Sequence, residues 1–204
     1  MRAQRHHAHD EAIATIEESL LRTGLEYLDL YLIHWPNPGV GLYVEAWQAL
    51  IEARERGLVR HIGVSNFLPD HLTALMEATG VTPEVNQIEL HLYFQQETQR
   101  AFDREHGIIT EAWSPLGRAT DILQDPVLTG IAHKHQITVP QVVLRWHTLI
   151  GSVPLPKSAD PQRQVQNLTV AGISLDEDDL AAIAALDRPA GRIWDQDPAT
   201  YEEF

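Results

Sequence analysis

The octapeptide DLYLIHWP, from Asp29 to Pro36, carries the clearest structural signal in the chain. The short apolar run Leu28–Ile33 is ended by Pro36 and Pro38, which predicts a buried strand of a parallel sheet. His34 follows this strand directly. A histidine at such a strand end either satisfies nearby backbone groups or acts as a hydrogen-bond donor or acid toward a substrate carbonyl.

On either side of this octapeptide, helical and strand patterns alternate along the chain. Four further strands are predicted: Ile62–Val64, Val85–Ile88, Ile108–Ala112 and Ser152–Leu155. Eight helices are predicted around them: Asp10–Arg22, Tyr43–Arg56, Pro69–Thr79, Gln95–His106, Pro126–His135, Val139–Leu149, Arg163–Leu168 and Glu177–Leu186. The alternation indicates an α/β fold with a parallel sheet and right-handed crossovers.

Polar residues follow each predicted strand, which is typical of the active-site rim of a β/α barrel. They are His34, Ser65, Asn66, Gln87, Ser114, Lys157 and Ser158. A closed barrel needs about eight strands, and an open doubly wound sheet would also accommodate five. We expect an incomplete (β/α)8 TIM barrel that lacks about the first three β/α units. It would form one domain over residues 1–204, with 188–204 as a C-terminal substrate loop.

Composition excludes several classes of function. The 15 Lys and Arg residues against 29 Asp and Glu residues give a formal charge of −14, which opposes binding to nucleic acid or anionic membranes. The chain has no cysteine, so disulfides, thiolate metal sites and thiol nucleophiles are excluded. No apolar run approaches the roughly 20 residues of a membrane helix. We therefore expect a cytoplasmic protein.

Five strings, DLYLIHWP, GVSNF, NQIELH, AWSPLG and PLPKS, occur in the order found in aldo-keto reductases. The chain resembles this family over nearly its whole length, and most closely the bacterial members similar to 2,5-diketo-D-gluconate reductase. The resemblance implies an oxidoreductase that reduces small aldehydes and ketones to alcohols by hydride transfer. The implied cofactor is NADPH/NADP+, with NADH as an alternative.

The same resemblance implies a role for each residue of the motifs. His34 would orient the substrate carbonyl, and Trp35, Trp194 and Tyr201 would contact the substrate. The implied cofactor contacts are Ser65, Asn66 and Gln87 at the nicotinamide carboxamide, Trp113 on the nicotinamide ring, Ser114, Leu116 and Gly117 around the pyrophosphate, Lys157, Ser158 and Arg163 at the 2′-phosphate, and Gln166 and Asn167 at the adenine. Asp160 stands where the family usually has threonine, and its carboxylate weakens the expected preference for NADP over NAD.

The tyrosine, lysine and aspartate that complete the family's catalytic tetrad lie upstream of the histidine. Residues 1–27 contain one tyrosine, Tyr27, in a different context, and no lysine. His34 is thus the only tetrad member identified, and we expect the chain to be inactive alone. Two explanations are open: a part of a longer enzyme, which the retained nucleotide contacts favour, or a shortened protein that has lost the chemistry.

Two other functions remain as alternatives. The first is a non-catalytic nicotinamide-nucleotide-binding or regulatory module, which would bind cofactor without turnover. The second is a metal-dependent barrel hydrolase, for which His6, His7 and His9 are clustered and His91 lies near Glu89. Because carboxylates do not surround the first three histidines in the sequence, we expect a solvent-exposed histidine run and no metal site.

Overall fold

The computed structural model describes residues 7–118, 120–194 and 196–203. The strands are β1 (Leu28–Ile33), β2 (Val59–Ser65), β3 (Val85–Glu89), β4 (Ile109–Trp113) and β5 (Val153–Pro154). The helices are α1 (His9–Thr23), α2 (Tyr43–Glu55), α3 (Pro69–Thr79), α4 (Glu97–Glu105), α5 (Pro126–His135), α6 (Val139–Leu149), α7 (Pro161–Leu168) and α8 (Glu177–Ala184). A 3₁₀ turn, Ile122–Gln124, precedes α5 and was not predicted.

The strands form one sheet in the order β1-β2-β3-β4-β5. β1 pairs with β2, β2 with β3 and β4 with β5, each in parallel. The register sets Ile33 opposite Val64 and Ser65 opposite Gln87, so the carboxyl ends of β1, β2 and β3 lie at the same edge. The predicted α/β fold with a parallel sheet is confirmed.

The described chain divides into two compact units. Unit 1 comprises residues 7–87, 98–109 and 196–203, and its core includes Trp47, Leu50, Ile62 and Phe67. Unit 2 comprises residues 88–97, 110–118 and 120–194. Its core is built from Leu90, Leu92, Ile122, Leu128 and Trp146. No helix within the described ranges has both the length and the apolar character needed to cross a bilayer.

The prediction of a buried first strand is wrong for two of the six residues of β1. Asp29 and Leu30 are exposed, and only Ile33 is fully buried, because β1 is an outer strand of the sheet. β2 begins three residues earlier than predicted. The first residues of this strand do not form an apolar run, because Arg60 and His61 are polar. In the structure Arg60 pairs with Asp29 at 3.3 Å and His61 with Glu84 at 2.6 Å.

Gly63, in the middle of β2, allows the neighbouring strands β1 and β3 to approach closely. A Cβ atom at this position would lie 2.6 Å from the carbonyl oxygen of Val85 and 2.8 Å from Cδ2 of Leu32. Both distances are shorter than a van der Waals contact, and one of the two atoms is backbone. Gly63 therefore keeps the three strands at their spacing and the polar residues after them at one edge.

Candidate active site

Asn66 links the ends of three strands in unit 1. Its side-chain amide donates to the carbonyl oxygen of His34 at 2.9 Å and to the hydroxyl of Ser65 at 3.1 Å. Its backbone N–H donates to the carbonyl oxygen of Gln87 at 2.9 Å. Asn66 has a φ of 63°, in the left-handed region that asparagine tolerates better than most residues. The residues predicted from three separate strings are thus brought together around one residue, Asn66.

Ser65 completes this group. It is buried, and its hydroxyl donates to the carbonyl oxygen of Gln87 at 2.8 Å. The hydroxyl of Ser65 and the amide of Asn66 therefore take part in hydrogen bonds inside the protein. These bonds fix the orientation of both side chains, which is the condition for a precise contact with a ligand amide.

His34 is half-buried and lies against the C-terminal segment of unit 1. Its Nδ1 is 2.9 Å from Oε1 and 2.8 Å from Oε2 of Glu203. The backbone N–H of Glu203 donates to Oδ1 of Asn37 at 2.9 Å. The rings of Trp35 and Tyr201 meet at 4.5 Å between centroids. Residues 201–203 therefore cover the segment that carries the predicted carbonyl-orienting histidine.

Tyr27 is not a substitute for the family's acid. It precedes β1, whereas His34 follows it, so a strand rise of about 3.3 Å per residue separates the two by roughly 20 Å. The guanidinium of Arg60 lies 3.7 Å from the centroid of the Tyr27 ring. The sequence contains two lysines, Lys134 and Lys157, and both belong to unit 2.

The second group of predicted residues lies in unit 2, after β4. Trp113 ends this strand and is half-buried, and its carbonyl oxygen accepts from the N–H of Leu90 at 3.4 Å. The chain then turns tightly: the N–H of Gly117 donates to the carbonyl oxygen of Ser114 at 2.9 Å. Ser114 adopts a left-handed φ of 52° in this turn.

The turn lines a cavity of about 490 Å³. Four predicted cofactor residues surround it, namely Ser114, Leu116, Gly117 and Lys157. Arg118 lines the same cavity and was missed by the sequence analysis, although it directly follows the AWSPLG string. Its guanidinium lies 5.3 Å from the centroid of the Trp194 ring, a cation–π distance. The cavity thus has two cations, an arrangement suited to an anionic ligand.

Asp160 is the N-cap of α7, and its carboxylate already occupies that helix N-terminus. It accepts from the backbone N–H groups of Gln162 at 2.8 Å and Arg163 at 3.3 Å. It also lies 3.7 Å from Nε of Arg163. The hydroxyl of Ser158 accepts from the N–H of Asp160 at 3.2 Å. The carboxylate therefore competes with any phosphate for Arg163, one of the three residues predicted to bind the 2′-phosphate.

The last two predicted cofactor residues lie on α7. Gln166 is exposed, and Asn167 is half-buried. Asn167 lines a second cavity of about 630 Å³ beside α6, together with Leu144 and Thr148. Within the described residues, the structure does not bring Asn167 to the cavity lined by Lys157.

Among the residues that the structure describes, His7, His9 and His91 belong to no group of three possible metal ligands. His6 lies outside the described residues. His7 is buried, so the expectation of a solvent-exposed run is wrong there. His9 lies 3.3 Å from the carboxylates of its neighbour Asp10 and of Glu52, and the sequence spacing did not indicate the second contact.

A different grouping has the spacing of metal ligands: His135, Asp176 and Asp179 in unit 2. Lys134 lies within it, with Nζ 2.9 Å from Oδ1 of Asp179 and also bonded to Asp176. His135 Nε2 lies 2.6 Å from Oδ2 of Asp179. The ammonium group already supplies the positive charge that these two carboxylates need.

Comparison with known proteins gives a consistent result. A protein-family model described as "Aldo/keto reductase family" matches residues 1–188. The 2,5-diketo-D-gluconic acid reductase B of Corynebacterium sp. is 53% identical over 200 residues, which are 98% of this chain and 72% of that protein. The methylglyoxal reductase DkgA of Salmonella typhimurium is 44% identical over 187 residues, 91% of this chain and 67% of that protein.

A solved structure gives the same picture in three dimensions. The crystal structure of a mutant of Gox0644 in complex with NADPH superposes with a TM-score of 0.92 at 47% identity. The match covers 98% of this chain and 73% of that one.

Two residues beside His34 that sequence reasoning missed, Asn37 and Glu203, are 166 positions apart. Asn37 and Glu203 meet only in the folded chain, so no local sequence pattern could have indicated that they lie beside His34.

Proposed function

The chain belongs to the aldo/keto reductase family, and on that premise we propose that it provides the carbonyl-orienting and cofactor-binding part of an NADP(H)-dependent oxidoreductase. The substrates are small aldehydes and ketones, which are reduced to alcohols. The observation that carries the proposal is the position of Asn66, whose hydrogen bonds join His34, Ser65 and Gln87. The five strands are proposed to be part of the family's eight-stranded barrel.

In unit 1, His34 orients the substrate carbonyl, and Trp35 is a wall of the substrate site. Ser65, Asn66 and Gln87 contact the carboxamide of the nicotinamide. The internal hydrogen bonds of Ser65 and Asn66 support this role, because they hold both side chains in one orientation before the ligand arrives. NADPH supplies the hydride when it is bound.

In unit 2, the chemistry of the cavity after β4 fits the phosphates of a dinucleotide. Lys157 and Arg118 supply two positive charges in a space of about 490 Å³, within the usual range of ligand sites. Ser114, Leu116 and Gly117 contact the pyrophosphate, and Ser158 and Arg163 the 2′-phosphate. Gln166 and Asn167 contact the adenine. Trp113 stacks on the nicotinamide, and Trp194 contacts the substrate.

The 204-residue chain by itself is proposed to have negligible turnover. In the family, a tyrosine paired with a lysine donates the proton to the carbonyl. Tyr27 lies at the opposite end of β1 from His34, and Lys134 is paired with Asp176 and Asp179. Lys157 lines the cavity assigned to the phosphates.

The experiment has two parts on the same purified chain. NADPH oxidation is followed with a simple aldehyde, and NADPH binding is followed by quenching of tryptophan fluorescence. We expect saturable quenching without turnover above the protein-free rate. Turnover comparable to a full-length reductase would overturn the proposed inactivity, and absence of quenching at millimolar NADPH would overturn the cofactor site.

The second candidate function is a nicotinamide-nucleotide-binding or regulatory module without catalysis. The carboxylate of Glu203 against the imidazole of His34 favours it, because a bound carboxylate occupies a nitrogen of the one catalytic residue identified. This candidate predicts that restoring a tyrosine–lysine pair, by joining upstream strands from a relative, yields binding but no turnover. The enzyme proposal predicts turnover from the same chimera.

A further inference from the structure

Two buried ionisable side chains at the end of β3 are not used by the proposed function. Glu89 is 1% exposed and His91 is 0% exposed. His91 Nε2 lies 3.0 Å from Oε1 of Glu89. Because an ionised carboxylate only accepts hydrogen bonds, Nε2 carries the proton in this pair. Burying such a pair is unfavourable unless its groups are satisfied.

The pair is satisfied only in part. Oε2 of Glu89 and Nδ1 of His91 are buried and have no hydrogen-bond partner within residues 7–118, 120–194 and 196–203. Unpaired buried polar atoms are rare in folded proteins because they lose their bonds to water. A local arrangement that is unfavourable for stability is expected where a group serves another purpose.

The other contact of this carboxylate identifies that purpose. The backbone N–H of Ile193 donates to Oε1 of Glu89 at 2.6 Å. Ile193 directly precedes Trp194, the residue proposed to contact the substrate. The indole of Trp194 in turn lies 5.3 Å from the guanidinium of Arg118, which lines the cavity after β4.

The chain before Ile193 is held independently on the turn that follows β3. The N–H of Arg188 donates to the carbonyl oxygen of Tyr93 at 3.1 Å, and its guanidinium stacks 3.5 Å from the Tyr93 ring. A Cβ at Gly191 would lie 1.8 Å from the same carbonyl oxygen, so only glycine fits there. Residues 188–191 therefore stay attached without Glu89, and the bond to Ile193 determines where the chain goes next.

We propose that Glu89 is a positioning residue, held by His91, that fixes the backbone at Ile193 and thereby places Trp194 beside Arg118 at the cofactor cavity. This inference rests on the proposed function for the role of Trp194 and Arg118. Glu89 does not line the cavity after β4, and its effect is transmitted through the main chain at Ile193. The class of ligand affected is the phosphate part of the dinucleotide, which Arg118 faces.

The test uses the exposure of the tryptophans. Trp194 is 43% exposed, Trp113 is half-buried, and Trp35, Trp47 and Trp146 are at most 4% exposed, so Trp113 is the other tryptophan that acrylamide reaches and it is present in both wild type and Trp194→Phe. Acrylamide quenching of the cofactor-free chain, corrected with Trp194→Phe, therefore reports on Trp194. We expect the quenching constant of Trp194 to change in Glu89→Ala and to stay at the wild-type value in Glu89→Gln, whose amide oxygen still accepts from Ile193.

A matched control removes a buried hydrogen bond of the same unit that does not touch Ile193. Tyr93→Phe loses the bond from the Tyr93 hydroxyl to Oδ2 of Asp125 at 2.7 Å and keeps the ring under Arg188. We expect this variant to lower the melting temperature and to leave the quenching of Trp194 unchanged. A purely structural role for Glu89 predicts that Glu89→Ala behaves like Tyr93→Phe, which would overturn the proposal.

A second experiment measures the affinity of the same variants for NADPH. The contact with Trp194 holds the guanidinium of Arg118 at the cavity, and a partly exposed cation–π contact shifts such an equilibrium by about threefold. We expect NADPH affinity to fall by at most about threefold in Glu89→Ala, because Arg118 is then less often in place to meet the phosphates. In the Trp194→Phe background, Glu89→Ala should add little, because both changes act on the same contact. A full additional threefold loss would overturn the proposal. If the wild-type chain does not bind NADPH, the proposed function fails, and the acrylamide arm still decides the role of Glu89.

Discussion

Nδ1 of His34 lies 2.9 and 2.8 Å from the two carboxylate oxygens of Glu203. Because the carboxylate can only accept, the proton of a neutral His34 is on Nδ1, and Nε2 has a lone pair. Donation from Nε2 to a carbonyl then requires a second proton on the ring or the departure of Glu203. The contact therefore determines whether Nε2 of His34 can donate a hydrogen bond.

Removal of this carboxylate should change the tautomer. In Glu203→Ala, Nδ1 loses its acceptor, and we expect the neutral His34 ring to shift from the Nδ1–H toward the Nε2–H form. Long-range ¹⁵N–¹H correlation spectra of the ring nitrogens measure this population directly. Glu202→Ala, one residue away, is the control, since Glu202 contacts the backbone N–H of Gly39 and not the imidazole. Identical spectra for wild type and Glu203→Ala would contradict the hydrogen bond.

Cofactor preference should depend on the charge of Asp160. Asp160→Asn keeps the oxygen that caps α7 and removes the negative charge beside Arg163. We expect the dissociation constant for NADPH to fall by about threefold, the scale of an exposed ion pair, and that for NADH to stay unchanged. Fluorescence titration with each cofactor measures both, and the gain should shrink at high salt.

Asp176→Asn is the matched control for this titration. Asp176 is also an N-cap in unit 2, with its side chain accepting from the N–H of Asp179. We expect no change in the affinity ratio there. An equal gain for NADPH and NADH in Asp160→Asn would show that the carboxylate does not sense the 2′-phosphate.

Acid stability should depend on Asp179. Burial favours its protonated form and is the largest single influence, but hydrogen bonds from Lys134, His135 and the N–H of Asp176 together lower its pKa from 3.8 to about 2. A carboxyl whose pKa is depressed on folding stabilises the protein above the unfolded pKa. We expect this stabilisation to be complete at neutral pH and to disappear as the pH falls from 3.8 through about 2.

Thermal unfolding of Asp179→Asn checks this expectation. The melting temperature at pH 7 should fall by roughly 5 °C, and the variant should lose less than wild type on acidification. Asp178→Asn makes the same charge change on the exposed face of the same helix, and we expect an effect within about 0.5 kcal/mol. Parallel pH profiles for wild type and Asp179→Asn would show that the cluster does not couple to folding.

The space around the α-carbon predicts opposite effects of an alanine substitution at two glycines, Gly63 in β2 and Gly130 in α5. Gly63→Ala introduces a Cβ against backbone, and we expect it to destabilise the protein by about 1–3 kcal/mol. Gly130→Ala lies within α5, where no atom lies within 4 Å of the added Cβ. We expect it to stabilise the protein by about 0.5–1 kcal/mol. Chemical denaturation measures both, and a neutral Gly63→Ala would mean that the strands can separate to admit a methyl group.

Local patterns predicted the elements of this fold but not all of their ends. Apolar runs located every strand, whereas the start of β2 was missed because Arg60 and His61 are satisfied by carboxylates on neighbouring segments. The start of α7 was predicted two residues late, although Asp160 and Pro161 together are a helix-start signal. α4 begins at Glu97 rather than Gln95, because Gln96 has a left-handed φ of 44° that a right-handed helix cannot include.

The candidate site likewise contains residues that local patterns predicted and a contact that they did not. The strings located His34, Ser65, Asn66 and Gln87, and in the structure the other three are hydrogen-bonded to Asn66. The partner of His34 could not be predicted, because Glu203 is 169 positions away. Their functional roles remain predictions.

Gly63 is also the first letter of GVSNF, one of the strings by which the family resemblance was recognised. Its place in that string reflects crowding between strands, while Ser65 and Asn66 two and three positions later carry the proposed chemistry. A mutant library intended to change cofactor or substrate choice should therefore keep position 63 fixed and randomise the two polar positions. In this string, the glycine that spaces the strands and the two residues proposed to contact the cofactor are separable targets for engineering.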